Sequence, residues 1–491
     1  MKLNFNRYKD SVNACWIGKN IGGTMGGPYE GHKGTLDVRG FSTPENVVLP
    51  NDDLDLQLVW LRAVENLGAR GVNATTLGEY WLAFVTPYWC EYGRGKTNMH
   101  MGLLPPLSGD AFNSWKNSNG SWIRSEIWAC LAPGVPDVAV RYAREDAGVD
   151  HGAGEGTLAA MFTAALESAA FVVKDVKQLI RIALAKIPEE SRVAKSVRLV
   201  MECHEKGMDH METRNRVFEM NADLGKGWFE APSNVAYAII GLLWGNGDFK
   251  KSMTITINCG DDTDCTAGLV GAVLGILGGT ESIPQDWKKH IGDAIETVAI
   301  ARGTLYGIPE SCTELTERVC KAVPHFLYDT QAGVELTMEA DEIPAGIVES
   351  WEARPDFIDW EDRIYPNSYR IDFNYATAVV MLPGDPTIAP GETLRVKIRF
   401  LNHVAKYGNI QDFLKLRFLA DKGFSIKGPK TLLISRRSVF DTDFFHDQPY
   451  VDGEFEITAG EEVEPINRVV IEVTSDKRIT TGYIPITLLG K

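Results

Sequence analysis

The residues of this chain best suited to chemistry are the carboxylates of Asn258-Cys259-Gly260-Asp261-Asp262-Thr263-Asp264-Cys265. Asp261, Asp262 and Asp264 repel one another at pH 7, so a positive partner is expected among their oxygens. A hard divalent cation, which takes oxygen ligands, is the natural candidate. Asp262 and Asp264 alternate, and in an extended loop both can point at one site. The competing account is a solvated acidic turn that caps a helix, because carboxylates favour the positive end of a helix dipole. The small and apolar residues from Cys265 to about Gly278 read as that helix.

A second acidic group tips the balance. In Asn51-Asp52-Asp53-Leu54-Asp55, Asn51 is a good N-cap, and Leu54, Leu58, Leu61 and Val64 keep helical spacing. Three carboxylates exceed what a cap requires. Two acidic helix N-termini far apart in the chain suggest one shared metal site. Hard oxygen donors without a histidine or cysteine cluster fit Mg²⁺ or Mn²⁺, and a pair of such ions can orient a substrate's hydroxyls and polarise or deprotonate a water. Zinc is disfavoured, because the loops offer no imidazole and Cys265 is a lone thiol. Calcium stays open, although neither loop has EF-hand spacing.

Upstream, Gly18, Gly22 and Gly26 recur every four residues and share one face of a predicted helix. Glycine costs about 1 kcal/mol against alanine in a helix, so close backbone approach to a neighbour is the expected compensation. The segment lacks the GK[ST] ending of a phosphate loop. Glu30 follows the turn and is free to face a cleft. Between Tyr80 and Trp128, Tyr88-Trp89, Trp115, Trp122 and Trp128 surround Asn117-Ser118-Asn119-Gly120. Such a region can wall a pocket, while core packing is the better account of any single Trp. His151-Gly152-Ala153-Gly154-Glu155-Gly156 precedes a small-residue helix from about Thr157 to Val173 and reads as a ligand-binding corner. For His151 a structural hydrogen bond is the alternative.

These groups must be positioned mainly by helices. Helical patterns continue through 175–187, 189–206, 211–222, 232–244, 265–278, 286–306 and 311–324, so the first 330 residues read as almost entirely α-helical. The period then changes to strict alternation in 393–400, 414–418 and 454–457, with further strands expected at 468–474 and 483–489. A chain of 491 residues is too long for one ordinary core. The expected organisation is an all-α domain over 1–335 followed by a β-sandwich over 345–491.

Composition bounds the partners. The chain is 44% apolar and 24% charged, as in a soluble globular protein, and 50 Lys and Arg against 66 Asp and Glu give a net charge of −16. That charge argues against nucleic acid and anionic membrane as partners, while a small anionic substrate remains open. The eight cysteines form no CxxC pair and read as reduced thiols. The N-terminus lacks the apolar core of a secretory signal, and no stretch is apolar enough to span a membrane. A cytoplasmic enzyme is expected, with secretion the alternative should a signal peptide have been removed.

On these segments the chain resembles the ADP-ribosylglycohydrolase family over about residues 10–325. Four segments match in order: the glycine-rich run from Gly18 to Glu30; Asn51-Asp52-Asp53, similar to the family's Thr-Asp-Asp; Asn119-Gly120-Ser121-Trp122-Ile123-Arg124, similar to Asn-Gly-x-x-Met-Arg; and Asp262-Thr263-Asp264-Cys265, similar to Asp-Thr-Asp-Thr. The resemblance implies an all-α fold and a Mg²⁺-dependent glycohydrolase, with two ions expected and Mn²⁺ as the alternative. Its metal ligands would be Asn51, Asp52, Asp53, Asp262, Asp264 and the residue at Cys265. Glu30 and Asp53 would be catalytic, Glu30 as general base or ribose-hydroxyl contact. Asn119, Gly120, His151, Gly152 and Glu155 would bind substrate. The expected substrate is small-molecule or protein-linked ADP-ribose, or a related glycosyl group, cleaved at an N- or O-glycosidic bond. A carbohydrate or nucleoside glycosidase on the same scaffold, or an inactive ADP-ribose-binding protein, is the alternative. The sequence departs from the family where Gly23 replaces Asp, Leu54 replaces Thr and Cys265 replaces Thr.

Overall fold

In the computed structural model, which describes residues 1–224, 229–301, 303–353, 365–373, 376–402, 412–421, 423–434, 450–475 and 478–491, the glycine stripe has the neighbour its spacing predicts. Helix α1 (Phe5–Gly26) runs antiparallel to the helix Thr263–Gly278, and a Cβ at Gly18, Gly22 or Gly26 would overlap the backbone of Gly271, Ala267–Gly268 or Thr263–Asp264. The missing side chains let the two backbones touch, and the gain in packing offsets the poor helix propensity of glycine. Thr263 Oγ1 donates to the Gly26 carbonyl at 2.8 Å and fixes the register at the end that carries the acidic groups.

Further helices complete the chain's helical part, the short one at Leu107–Asp110 lying within the strand-rich unit described below. They are α2 (Asp52–Gly71, broken at Gly68), α3 (Ala74–Phe84), α4 (Cys90–His100), α5 (Leu107–Asp110), α6 (Glu126–Leu131) and α7 (Pro136–Ala147). Next come α8 (Glu155–Ala170), α9 (Val176–Leu184), α10 (Arg192–Glu205), α11 (His210–Met220), α12 (Ala231–Gly245) and α13 (Phe249–Asn258). The partner of α1 is α14 (Thr263–Gly278), followed by α15 (Gln285–Ile291), α16 (Cys312–Asp329) and α17 (Ile347–Glu352). A short parallel pair, β1 (Lys2–Asn4) with β2 (Glu335–Thr337), ties the start of the chain to the end of the helical region.

One expected helix is shorter than its pattern. The helix predicted over 286–306 ends at Ile291, where Gly292 takes φ +70°. The segment beyond it is held by side chains, with Asp55 Oδ2 accepting from the Val298 and Ala299 amides at 2.6 and 2.5 Å. Apolar residues there pack under irregular chain, which hydrophobic spacing alone does not separate from a helix.

By their contacts the residues fall into two units, Met1–Lys96 with Asn113–Phe357 and Thr97–Phe112 with Ile358–Lys491. The second unit is built from two five-stranded sheets. One has the order β3 (Ser368–Asp372), β4 (Ala376–Met381), β6 (Thr393–Asn402), β10 (Tyr450–Thr458) and β8 (Ser425–Lys427). The other has the order β5 (Thr387–Ile388), β12 (Gly482–Gly490), β11 (Ile466–Ser475), β7 (Asp412–Ala420) and β9 (Thr431–Ile434). Alternate residues, such as Val396, Ile398 and Phe400 on β6 and Val469, Ile471 and Val473 on β11, enter one shared core. Leu103, Leu107 and Ala111 belong to that same core, although they lie far upstream in the chain. No helix among the described residues is long and apolar enough to cross a membrane.

Candidate metal centre

Backbone pairing brings the two ends of the acidic pattern together. The Gly31 amide donates to the Asp261 carbonyl at 2.8 Å and the Asp261 amide to the His32 carbonyl at 2.6 Å, so the turn that bears Glu30 is stapled to the loop before α14. Asp261 itself faces away from the centre. At φ +66° its carboxylate accepts from the Phe229 amide at 3.1 Å and Asn234 Nδ2 at 3.0 Å. Asn234 also accepts from the Asp262 amide at 3.2 Å, and one buried amide thereby sets both residues.

Glu30, Asp262 and Asp264 each bring a carboxylate oxygen into one group, all within 4.8 Å of one another. Asp53, Asp264 and Cys265 form a second group of the same size that shares Asp264. Asp53 is fully buried, whereas Glu30 is exposed at the rim. Asp52 accepts from the Tyr92 hydroxyl at 2.8 Å. Asn119 donates from Nδ2 to Asp262 Oδ2 at 2.6 Å and accepts from Trp122 Nε1 at 2.9 Å. Asn51 caps α2, its Oδ1 accepting from the Asp53 amide at 2.8 Å, and its Nδ2 fills the space a side chain at Gly23 would need. Gly23, where the family has Asp, and Asn51, where it has Thr, therefore share one volume.

The electrostatics follow from this crowding. Although Glu30 as a residue reaches solvent, partial burial of its carboxyl, then the charges of Asp264 and Asp52, push it up to about 8. Burial and Asp264 also raise Asp52 and hold Asp262 well above the usual carboxylate range. Asp53 is held well above that range too, by burial with Asp264 and Asp52, although Lys19 opposes the shift. Burial and the charges of Asp262, Asp264 and Asp53 keep the Cys265 thiol protonated, and its Sγ donates to Asp53 Oδ1 at 3.3 Å. Asp53 Oδ2, Asp262 Oδ1 and Asp264 Oδ1 are buried without a hydrogen-bond donor. Lys19 Nζ lies 3.8 Å from Asp53 Oδ2, near enough to attract it but beyond hydrogen-bond reach. Buried carboxylate oxygens of this kind are costly unless a cation or proton faces them, and an all-oxygen set suits a hard divalent ion.

A family model described as ADP-ribosylglycohydrolase matches residues 5–320. The chain belongs to the ADP-ribosylglycohydrolase family. Among solved structures it is similar to an ADP-ribosylglycohydrolase-related protein complex at 21% identity and TM-score 0.43, over 65% of this chain and 99% of that one. A FixG-related protein from Vibrio parahaemolyticus is similar at 9% identity and TM-score 0.19, over 24% of this chain and 99% of that one. No curated protein matches.

Other residues singled out in the sequence have separate surroundings. His151 is buried beside Glu91 and Asp150, with Nε2 3.2 Å from Ser118 Oγ and Nδ1 2.9 Å from Asp150 Oδ1. That second contact is short but not aligned as a hydrogen bond. Asp150 is already neutralised, because Arg124 donates to both its oxygens at 2.8 and 3.1 Å and reaches Asp146 at 2.8 Å. Burial works against it, but Arg124 and then His151 bring Asp150 down to about 2. Arg124 also donates to the Gly120 carbonyl, and Gly120 leaves room for Glu91. The Gly152 carbonyl accepts from Thr157 Oγ1 at 2.7 Å. Both Glu155 oxygens accept the first amides of α10, Arg192 and Val193, at 2.9 and 3.0 Å. Sequence reading missed Lys19, Tyr92 and Asn234. Only Lys19 carried a signal, the one charged residue in the stretch from Ala14 to Gly26, which is otherwise mostly small and apolar.

Proposed function

We propose that this protein is a Mg²⁺-dependent glycohydrolase that cleaves an N- or O-glycosidic bond to ADP-ribose or a related ribosyl group, with Mn²⁺ as the alternative ion. The observation that carries this reading is the convergence of Glu30, Asp53, Asp262 and Asp264 around buried oxygens that lack donors, with Asp52 near enough for its charge to act on Glu30 and Asp53. Asp52, Asp53, Asp262 and Asp264 would hold the ion, which when bound supplies Lewis acidity and fixes adjacent hydroxyls. The Asn51 oxygen is committed to the cap of α2, and the protonated Cys265 thiol is a poor partner for a hard ion. Glu30, exposed at the rim, is the general base or hydroxyl contact, and Asp53, at the floor, orients the cluster. Asn119 positions Asp262, while the Gly120 and His151–Gly152 loops shape the substrate side through their backbone.

The test is hydrolysis of ADP-ribosyl-arginine, ADP-ribosyl-serine and simple nucleosides with and without Mg²⁺. Turnover that survives chelation, or survives Asp262→Asn, ends the metal reading. A second reading, a carbohydrate or nucleoside glycosidase, is favoured by two exposed aromatic side chains, Tyr88 and Trp89. The Trp89 ring stacks at 6.3 Å on Tyr92, which holds Asp52, and Cys90 beside it is pushed up to about 11 by burial and by the charges of Glu91 and Glu30. Aromatic faces at a rim suit planar or sugar rings generally. Preference for a free nucleoside or glycoside over both ADP-ribosyl compounds would select this reading.

A further inference from the structure

Lys19 is the one cation within the acidic floor among the described residues, and its surroundings bear on how many metal ions the centre takes. Its ammonium is buried in α1, donates to Glu126 Oε1 at 2.6 Å and lies 3.8 Å from Asp53 Oδ2. Glu126 is itself anchored, accepting from Gln57 Nε2 at 2.9 Å, while Gln57 Oε1 accepts from the Ile127 amide at 2.7 Å. Lys19 is therefore a fixed charge, not a mobile side chain that could swing away. The candidate donors divide into an inner set, Asp53, Asp264 and Cys265, and an outer set, Glu30, Asp262 and Asp264. The inner set contains a thiol whose hydrogen points at Asp53 Oδ1, a soft and neutral donor in place of an oxygen. It also faces the ammonium, which repels any cation placed at Asp53 Oδ2. The outer set is entirely carboxylate, opens to solvent at Glu30, and lies where Asp262 Oδ1 and Asp264 Oδ1 are buried without donors.

Resting on the metal-dependent reading above, we propose that this centre takes a single divalent cation held by Asp262 and Asp264 on the side that Glu30 faces, and that the Lys19 ammonium supplies the second positive charge at Asp53, which thereby leaves the ligand set given above. The centre is then a mixed ammonium–metal site. Lys19 is a positioning residue here, since it holds Asp53 and does not touch substrate.

The experiment is Mn²⁺ stoichiometry on the full chain, by equilibrium dialysis with electron paramagnetic resonance. The expected result is one Mn²⁺ per chain with an uncoupled signal, lost in Asp262→Asn. The paired variant Lys19→Met with Glu126→Gln removes both charges together, so neither is left orphaned, and it should bind a second Mn²⁺. Cys265→Thr, which restores an oxygen but keeps Lys19, should remain at one. Two Mn²⁺ in the unaltered protein or in Cys265→Thr would overturn the inference while leaving the metal reading intact. A paired variant that folds and still binds one would overturn it as well. No bound Mn²⁺ at millimolar concentration would remove the metal reading itself, and this inference with it. Should the paired variant not fold, the unaltered protein and Cys265→Thr decide the matter.

Discussion

Binding of a divalent cation should release protons, and the amount follows from the crowding of carboxyls. Glu30 is held at about 8 by burial and by Asp264 and Asp52. At pH 7 it is therefore roughly nine-tenths protonated in metal-free protein. A cation among Glu30, Asp262 and Asp264 displaces that proton, so about one proton per ion leaves at pH 7, and more as the raised Asp262 contributes. Apparent affinity should rise about tenfold per pH unit for each proton released, and flatten above about pH 8. Stability has the opposite sign in metal-free protein. A carboxyl whose folded value lies above its ordinary 4.5 stabilises fully below that value, and the contribution is lost as pH rises through about 8. Metal-free protein should thus melt lower as pH climbs across that window, and Mg²⁺ should restore the melting temperature most at the alkaline end. Calorimetric titration of Mn²⁺ in two buffers of different ionisation enthalpy reads the proton count directly. A buffer-independent heat, with affinity flat between pH 6 and 8, would refute the reasoning.

Three substitutions probe how the centre is held. Gly22→Ala puts a methyl against the Ala267–Gly268 backbone; it should destabilise by about 1–3 kcal/mol and, by separating the two helix ends, lower turnover by about a hundredfold, and unchanged kcat/KM would show that their spacing is not critical. Asn234→Ala leaves the Asp262 amide and the Asp261 carboxylate short of a partner; denaturant unfolding should show a loss of about 1–3 kcal/mol, together with weaker Mn²⁺ binding. Glu155→Ala removes the acceptors for the first amides of α10; it should reduce stability by about 0.5–2 kcal/mol, and a fall in kcat/KM at unchanged melting temperature would instead put Glu155 at the substrate.

Much of this was legible in the residues themselves. The four-residue glycine spacing of α1 announced a backbone-to-backbone contact, and the excess of carboxylates at two helix starts announced a shared centre. Alternation located the long strands, because a period of two has few other causes. What escaped was non-local. Nothing beside Asn234 indicates that it sets the Asp261–Asp262 turn, and Tyr92 meets Asp52 only through the path of α4. Glu155 and His151 have the right neighbours in sequence for a ligand corner, but nothing near them shows that both Glu155 oxygens meet the start of α10 or that His151 lies between Ser118 and Asp150. The segment 97–112 shows no alternation, so its place among the strands depends on a core assembled by residues beyond 365.

That discontinuity has a consequence for how the chain is made. Leu103, Leu107 and Ala111 finish burying themselves only against strands that include Ile484, Ile486 and Leu488 near the other end. On a ribosome advancing at about 5–20 residues per second, these apolar groups wait roughly 20–80 s before their partners exist. During that interval the helical region can fold around its own core while an oily finger stays in water. Synthesis of these last strands rather than helix formation should then gate completion of the strand-rich core, and a chain stopped before them would leave Leu103, Leu107 and Ala111 without it.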